Sequence, residues 1–348
     1  MSATSDTISS ISALLSLSDS QYRIFDIGRR VDKISKEKFA KIEAAELPYP
    51  YPIQGHALLA IAFWQKQSTS PYLWFIKLPL DERGLLNQGA RNHFIAIIIE
   101  ALGDNLSVNP TEQQEALLKK NPYHFTPAQY KLAAVNSVVS TSLKQIPSQF
   151  YAPAQSYLSG LSGWEAWQSV GVQGLSDFAF RLDEDNNNEI LISALSYLPE
   201  QVLVPLCSAL ENVTLAPAAI KELTKRYQQE TLKEQVINSI SIALLRALAL
   251  STQHPYSQSF IANLIQNNVL EEDVLIIIAG RLWPILNDEN LLFSYLEQLI
   301  KDSDYALFSA IFKDLVAIPL IRPVLLQAIR SPKRSPELAK AIGMLFKP

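Results

Sequence analysis

LPYPYPIQGHALLAIAFW, residues 47–64, decides how the N-terminal part of the chain folds. Pro48, Pro50 and Pro52 alternate with Tyr49 and Tyr51. Each proline fixes its own φ and drives the residue before it into extended geometry. The alternation therefore predicts a stiff connector over 47–52. A ligand of the PxxP type needs prolines three apart, and these are two apart. After Gln54-Gly55, HALLAIAFWQ is apolar on both faces, the mark of a buried strand. A polar turn, QKQSTSP at 65–71, leads to YLWFIKLPL, a second such run bracketed by Pro71 and Pro79. The two runs read as adjacent strands buried centrally in a sheet. The connector's tyrosines are expected over the open sheet face.

Upstream, YRIFDIG and RVDKI read as two further strands, with Gly28-Arg29 as the hairpin turn between them. KEKFAKIEAAEL predicts a helix with Ser35 as N-cap, Glu37 in its first turn, and Phe39 and Ile42 on one face. Downstream, NQGARNHFIAIIIEALG predicts a helix closed by Gly103. The order is ββαββα, and short connections favour an antiparallel sheet with helices on one face. Residues 1–105 are thus read as a small α+β domain.

Residues 106–177 read as a helical junction. They hold turn signals around a short helix, then a helix opened at Thr126-Pro127, then YLSGLSGWEAWQSVGVQG with Trp164 and Trp167 as packing residues. From Phe178 onward, runs such as EQVLVPLCSALENV, PAAIKELTKRYQQE and EEDVLIIIAGRLWPIL follow one another across short polar breaks, with no strand signal. Residues 178–348 are read as an all-α, helical-repeat-like domain of the HEAT or α-solenoid type. No clean period is present, so a compact non-repetitive bundle stands as the alternative.

QYRIFDIGRR, LPYPYPIQGHA and WFIKLPLDERGLL, with the near-terminal placement of all three, resemble a bacterial family of uncharacterised proteins, domain-of-unknown-function family 3549. The resemblance covers most of the chain and implies no activity or site.

The totals exclude several functions. The chain has 348 residues, 48% hydrophobic and 18% charged, with a net charge of −4. That is a globular composition with no global field for nucleic acid. The single cysteine, Cys207, permits no internal disulfide and lies in the apolar LVPLCSAL, where an inert buried thiol is expected. The N-terminus lacks a basic region of a secretory signal, neither end carries a lipidation motif, and apolar runs are too short to span a bilayer. The expectation is a soluble, cytoplasmic protein.

Chemistry is sparse. His56, His93, His124 and His254 are scattered, without CxxC or HExxH, so no metal is expected; His56 and His93 could meet in space but read better as separately satisfied. In LDEDNNNEI, Asp183, Asp185 and Asn187 match a calcium loop at 1, 3 and 5, but Asn188 and Ala194 stand where Gly and Glu are required. No phosphate-binding glycine loop and no GxSxG appear. Over 21–41, seven Lys and Arg stand against three Asp and Glu, read as the solvated face of a hairpin and helix. Neither a catalytic set nor a cofactor is predicted. The residues singled out for binding are Gln54 and His56 at the mouth of the strand, Asp81 and Arg83 in the turn LDERG, Arg91 on the following helix, and Arg29 and Arg30 in the basic stretch. The leading expectation is a non-enzymatic scaffold that binds another protein on a concave helical surface. The alternative is a small-ligand sensor or enzyme with a polar site near His56.

Overall fold

A computed structural model describes residues 8–65, 70–103, 111–234, 237–267, 270–302, 304–332 and 334–345. The chain divides into two compact units, Met1–Pro127 and Ala128–Pro348. The stretch 106–177, read from the sequence as a junction, is shared between them. The polar turn expected at 65–71 and the turn signals at 106–110 fall largely outside the described residues.

The first unit runs α1 (Ile11–Leu17), β1 (Ser20–Asp26), β2 (Asp32–Ile34), α2 (Lys36–Glu43), β3 (His56–Gln65), β4 (Tyr72–Pro79), α3 (Gln88–Leu102) and α4 (Glu112–Lys119). The expected ββαββα order is present, preceded by α1, which the sequence reading did not contain. Ser10, Ser35 and Asn87 cap α1, α2 and α3 through side-chain oxygens that accept from Ala13, Lys38 and Ala90 N–H. Gly103 closes α3.

The sheet is antiparallel in the order β2-β1-β3-β4. Only β3 of the two apolar runs is central; β4 is an edge strand, which corrects the sequence reading. Its outer edge is covered by 123–125, where Lys77 N–H donates to the Tyr123 carbonyl at 2.7 Å and Phe125 N–H to the Phe75 carbonyl at 3.3 Å. Coverage of this kind explains why an edge strand can be as apolar as a central one. Tyr22 and Ile24 of β1, Leu59, Ile61 and Phe63 of β3, and Ile76 and Leu78 of β4 share one core with Leu14, Phe39, Ile42, Phe94 and Ile98 of the helices.

The second unit contains α5 (Gln129–Ser142), α6 (Tyr151–Leu158), α7 (Val172–Ala179), α8 (Asn187–Ala194), α9 (Glu200–Leu210), α10 (Pro217–Glu234), α11 (Ser239–Ala247), α12 (Pro255–Asn267), α13 (Glu272–Gly280), α14 (Glu289–Asp302), α15 (Tyr305–Ala317), α16 (Arg322–Ala328) and α17 (Pro336–Leu345). Its described residues contain no strand. Neighbours alternate. The helices α5, α7, α9, α11, α13 and α15 pack each against the next in one row. The helices α6, α8, α10, α12 and α14 do so in another, and α14 also packs against α16 and α17. Rows this close need small residues at crossings: a Cβ on Gly174 of α7 would lie 2.3 Å from the Phe150 carbonyl oxygen.

One buried carboxylate ties the first row together. Glu211, at the end of α9, sits 3.2 Å from Lys131 Nζ of α5, 2.9 Å from Arg246 Nη2 of α11 and 3.0 Å from Arg281 Nε just after α13. Burial pushes its carboxyl up, but Lys131, Arg246 and Arg281 outweigh this and bring it down to about 2. Three of these helices place their negative C-terminal ends here, so cations answer the helix dipoles as well as the carboxylate. Cys207 is fully buried in α9, and burial pushes its thiol up to about 12, as expected for an inert thiol.

Candidate functional site

The residues singled out in the sequence occupy separate structural posts. Ile53 and His56 exchange two backbone hydrogen bonds of 3.0 and 2.9 Å, and Gln54 and Gly55 between them have φ of 47° and 72°. Positive φ at both central positions is what a type I′ hairpin turn demands, and glycine supplies it without strain. His56 Nδ1 meets the Gln54 carbonyl oxygen at 2.7 Å, so the imidazole closes its own turn.

Asp81 organises the next turn. It accepts from Arg83 N–H at 2.9 Å and Leu85 N–H at 2.8 Å and pairs with the Arg83 guanidinium at 3.2 Å. The Leu85 bond leads in holding its carboxyl below the usual range. Arg91 faces elsewhere: it is buried, donates to the Glu43 carbonyl at the end of α2, and reaches Asn92 Oδ1 at 2.8 and 3.1 Å. His93 meets Tyr123 Oη at 3.1 Å.

Arg29 and Arg30 belong to the Pro-Tyr connector. They lie in the loop Ile27–Val31, which is longer than the tight Gly28-Arg29 hairpin turn expected and turns Arg29 inward. Arg29 donates twice to the Pro52 carbonyl, at 2.8 and 3.1 Å. Arg30 lies 3.6 Å from Asp32 and 5.9 Å from the Tyr51 ring centre. Tyr49 is buried in the helix-covered core rather than over an open sheet face; its hydroxyl donates to Asp26 at 2.6 Å and to the Leu58 carbonyl at 3.3 Å. Tyr51 donates to Asp32 at 2.7 Å. The connector is thus clamped to β1, β2 and β3. Gln54 with His56, Asp81 with Arg83, Arg91, and Arg29 with Arg30 form four local sets. Among the described residues no group of three or more His, Cys, Asp or Glu could hold a metal ion.

A different site emerges in the helical unit. α10 and α12 lie side by side and leave an open cleft of about 690 Å³ between them. Lys221, Thr224, Gln228 and Thr231 line it from α10 at i, i+3, i+7 and i+10; Tyr256, Phe260 and Asn263 line it from α12 at i, i+4 and i+7. Lys221 Nζ stands 4.2 Å above the Tyr256 ring, and Tyr227 meets Phe260 edge-on with ring centres 5.4 Å apart. Later residues of one helix thus meet later residues of the other, so the two helices run parallel. Burial, then Glu271, pushes the Tyr227 hydroxyl up to about 12. At the far end Leu232 lines the cleft with 80% of its surface exposed.

The match to known proteins covers nearly the whole chain. The profile of a family described as "Protein of unknown function (DUF3549)" matches residues 6–346. The chain belongs to the DUF3549 family. No curated protein matches it, and no solved structure does. In this DUF3549 chain the sequence does not mark the cleft, because polar residues alternate with the apolar ones that line it. PAAIKELTKRYQQE shows a helix plainly, but Thr224, Gln228 and Thr231 look like an ordinary solvated face. The legible signal was the pair of aromatic-bearing helices, Tyr227 on one and Tyr256 with Phe260 on the next. Among the described residues no helix is long and apolar enough to cross a membrane.

Proposed function

We propose that this chain is a non-enzymatic, cytoplasmic scaffold whose helical unit binds another protein. The observation that carries the reading is the α10–α12 cleft, with an exposed leucine, an aromatic floor and a polar rim in one place. Isolated exposed leucines are common, but an apolar patch set in a cleft and rimmed by polar groups is the usual form of a protein-binding surface. The alternation of helices in two rows supports a HEAT-like solenoid, an architecture that presents long binding faces. The separate engagement of His56, Arg83 and Arg91 gives no comparable support to a small-ligand site there.

The test is a pull-down from native lysate, read by mass spectrometry, with wild-type chain and Leu232→Asp. Leu232 is largely exposed, so the substitution leaves folding intact, which circular dichroism checks. Partners captured by wild type are expected to be lost by the variant. Recovery of the same partners by both chains would remove the cleft from the binding surface.

A further inference from the structure

The cleft is polarised along its length. Lys221 and Tyr256 stand at the end where α10 and α12 begin, at Pro217 and Pro255. Two parallel helix N-termini bring partial positive charge to that end, and Lys221 adds a full one. Along the middle of α10 the charges pair with one another, Lys225 with Glu222 at 2.9 Å and Arg226 with Glu230 at 3.2 Å. Lys221 has no carboxylate partner among the described residues and rests on the Tyr256 ring instead. It is the charged side chain of the described lining. The opposite end, lined by Leu232 and Leu264 beside Thr231 and Asn263, has no charged side chain in its lining and lies toward the C-terminal ends of both helices, where Lys233 follows Leu232 outside the lining.

The shape of the floor also selects its occupant. Two parallel helices present side chains at helical spacing over residues 221–232, about 16 Å of axis at 1.5 Å per residue. Ridges at this spacing accept the ridges of a third helix. An extended peptide would instead have to satisfy its main-chain groups on a sheet edge or a ladder of amides. A helix satisfies them internally.

We infer that the cleft holds one amphipathic helix of a partner protein, about three turns long, antiparallel to α10 and α12 with an acidic last turn against Lys221. The inference rests on the proposed function and specifies its partner. The antiparallel sense follows from the dipoles: the negative C-terminal end of the incoming helix meets two positive N-termini. Its first turn is apolar and covers Leu232. The same field that orients the helix disfavours one with a basic last turn.

The experiment uses the full chain and a phage-displayed library of helix-forming peptides of roughly 12 residues, about three turns. Recovered peptides are expected to carry apolar residues at i, i+3 or i+4, and i+7, with Asp or Glu in the last turn. By fluorescence anisotropy, Lys221→Glu should weaken a recovered peptide about tenfold or more, and replacing the peptide's acid by Lys should restore binding to that variant. A proline at the centre of the peptide should abolish binding. Leu232→Asp should weaken every recovered peptide. Peptides that bind through Leu232 but show no acidic bias, or that tolerate the central proline, would overturn this occupant while leaving the proposed function standing. A dimer in light scattering that Leu232→Asp dissolves would replace the partner helix by a second copy of the chain. Peptides indifferent to Leu232→Asp, together with unchanged lysate partners, would overturn both readings.

Discussion

Glu43 of the first unit and Glu211 of the second are both almost completely buried, and the two are held in opposite ways. In the first unit Glu43, the last residue of α2, accepts from Ile11 N–H at 2.6 Å, Ser12 N–H at 3.2 Å and Ser12 Oγ at 2.5 Å, so it caps α1 from a distance in sequence. Arg91 donates to its backbone carbonyl. Burial pushes the Glu43 carboxyl above its usual range, and the Ser12 and Ile11 bonds, with the charge of Arg91, offset this only in part. In the second unit Glu211 is equally buried, yet it faces three cations and stays down at about 2. At Glu43 three donor bonds do not outweigh the cost of dehydrating the carboxylate, whereas at Glu211 three full charges at contact distance do.

The contrast breaks most visibly at Glu211. Glu211→Ala leaves Lys131, Arg246 and Arg281 facing one another around an empty site, and a loss of about 3–5 kcal/mol is expected from the urea midpoint. A loss near zero would show that water already screens the three cations. Because its folded carboxyl lies below the ordinary value of 4.5, Glu211 contributes stability that is full above that pH and fades as pH falls toward about 2. Wild type should therefore weaken over that acid range, and Glu211→Gln should flatten the profile.

Tyr49→Phe comes next. It deletes a donor at 2.6 Å from Asp26 in a buried setting, and about 1–3 kcal/mol should be lost with the core packing preserved. An unchanged midpoint would mean that the Tyr49–Asp26 bond adds nothing to the hold that Arg29 and Tyr51 already have on the connector.

Glu43 should show the opposite pH dependence. Its folded value is raised, so its contribution is full below the ordinary value and is lost as pH rises through the folded one. Glu43→Gln should remove that decline, so the urea midpoint of the variant should gain on wild type as pH rises from 4.5 toward neutrality. If both chains decline in parallel, the neutral donors hold the charged form better than burial penalises it.

The smallest effect belongs to Pro50→Ala. The connector's path is fixed by Arg29 on Pro52 and by both tyrosines, so the substitution acts mainly by freeing the unfolded chain, at about 0.4–1 kcal/mol. A larger loss would mean that Pro50 also packs.

Much of the fold was legible because its signals are local. Ser35, Asn87 and Gly103 mark helix ends through bonds that reach no more than four residues, and β3 and β4 announce themselves by unbroken apolar runs. Helix α1 was missed because its sequence, ISALLSL, is short and its N-terminus is held by Glu43, thirty-two residues from Ile11. The edge position of β4 was not legible for a related reason: what covers its outer edge comes from residues past α4. The candidate site was less legible still. His56, Asp81, Arg83 and Arg91 are polar residues at element ends, and each proved to serve its own turn or a nearby helix end.

By itself, then, the sequence determined the α+β beginning and helical remainder, the caps at Ser35, Asn87 and Gly103, and the apolar setting of Cys207. Each follows from periodicity, caps or apolar context within a few residues. Only the tertiary structure decided which carboxylates are buried and by what they are answered, that Arg29 clamps Pro52, and that Lys221 and Leu232 lie along one cleft. Burial and charge pairing depend on residues brought together from distant parts of the chain, and no local pattern encodes which distant residue arrives.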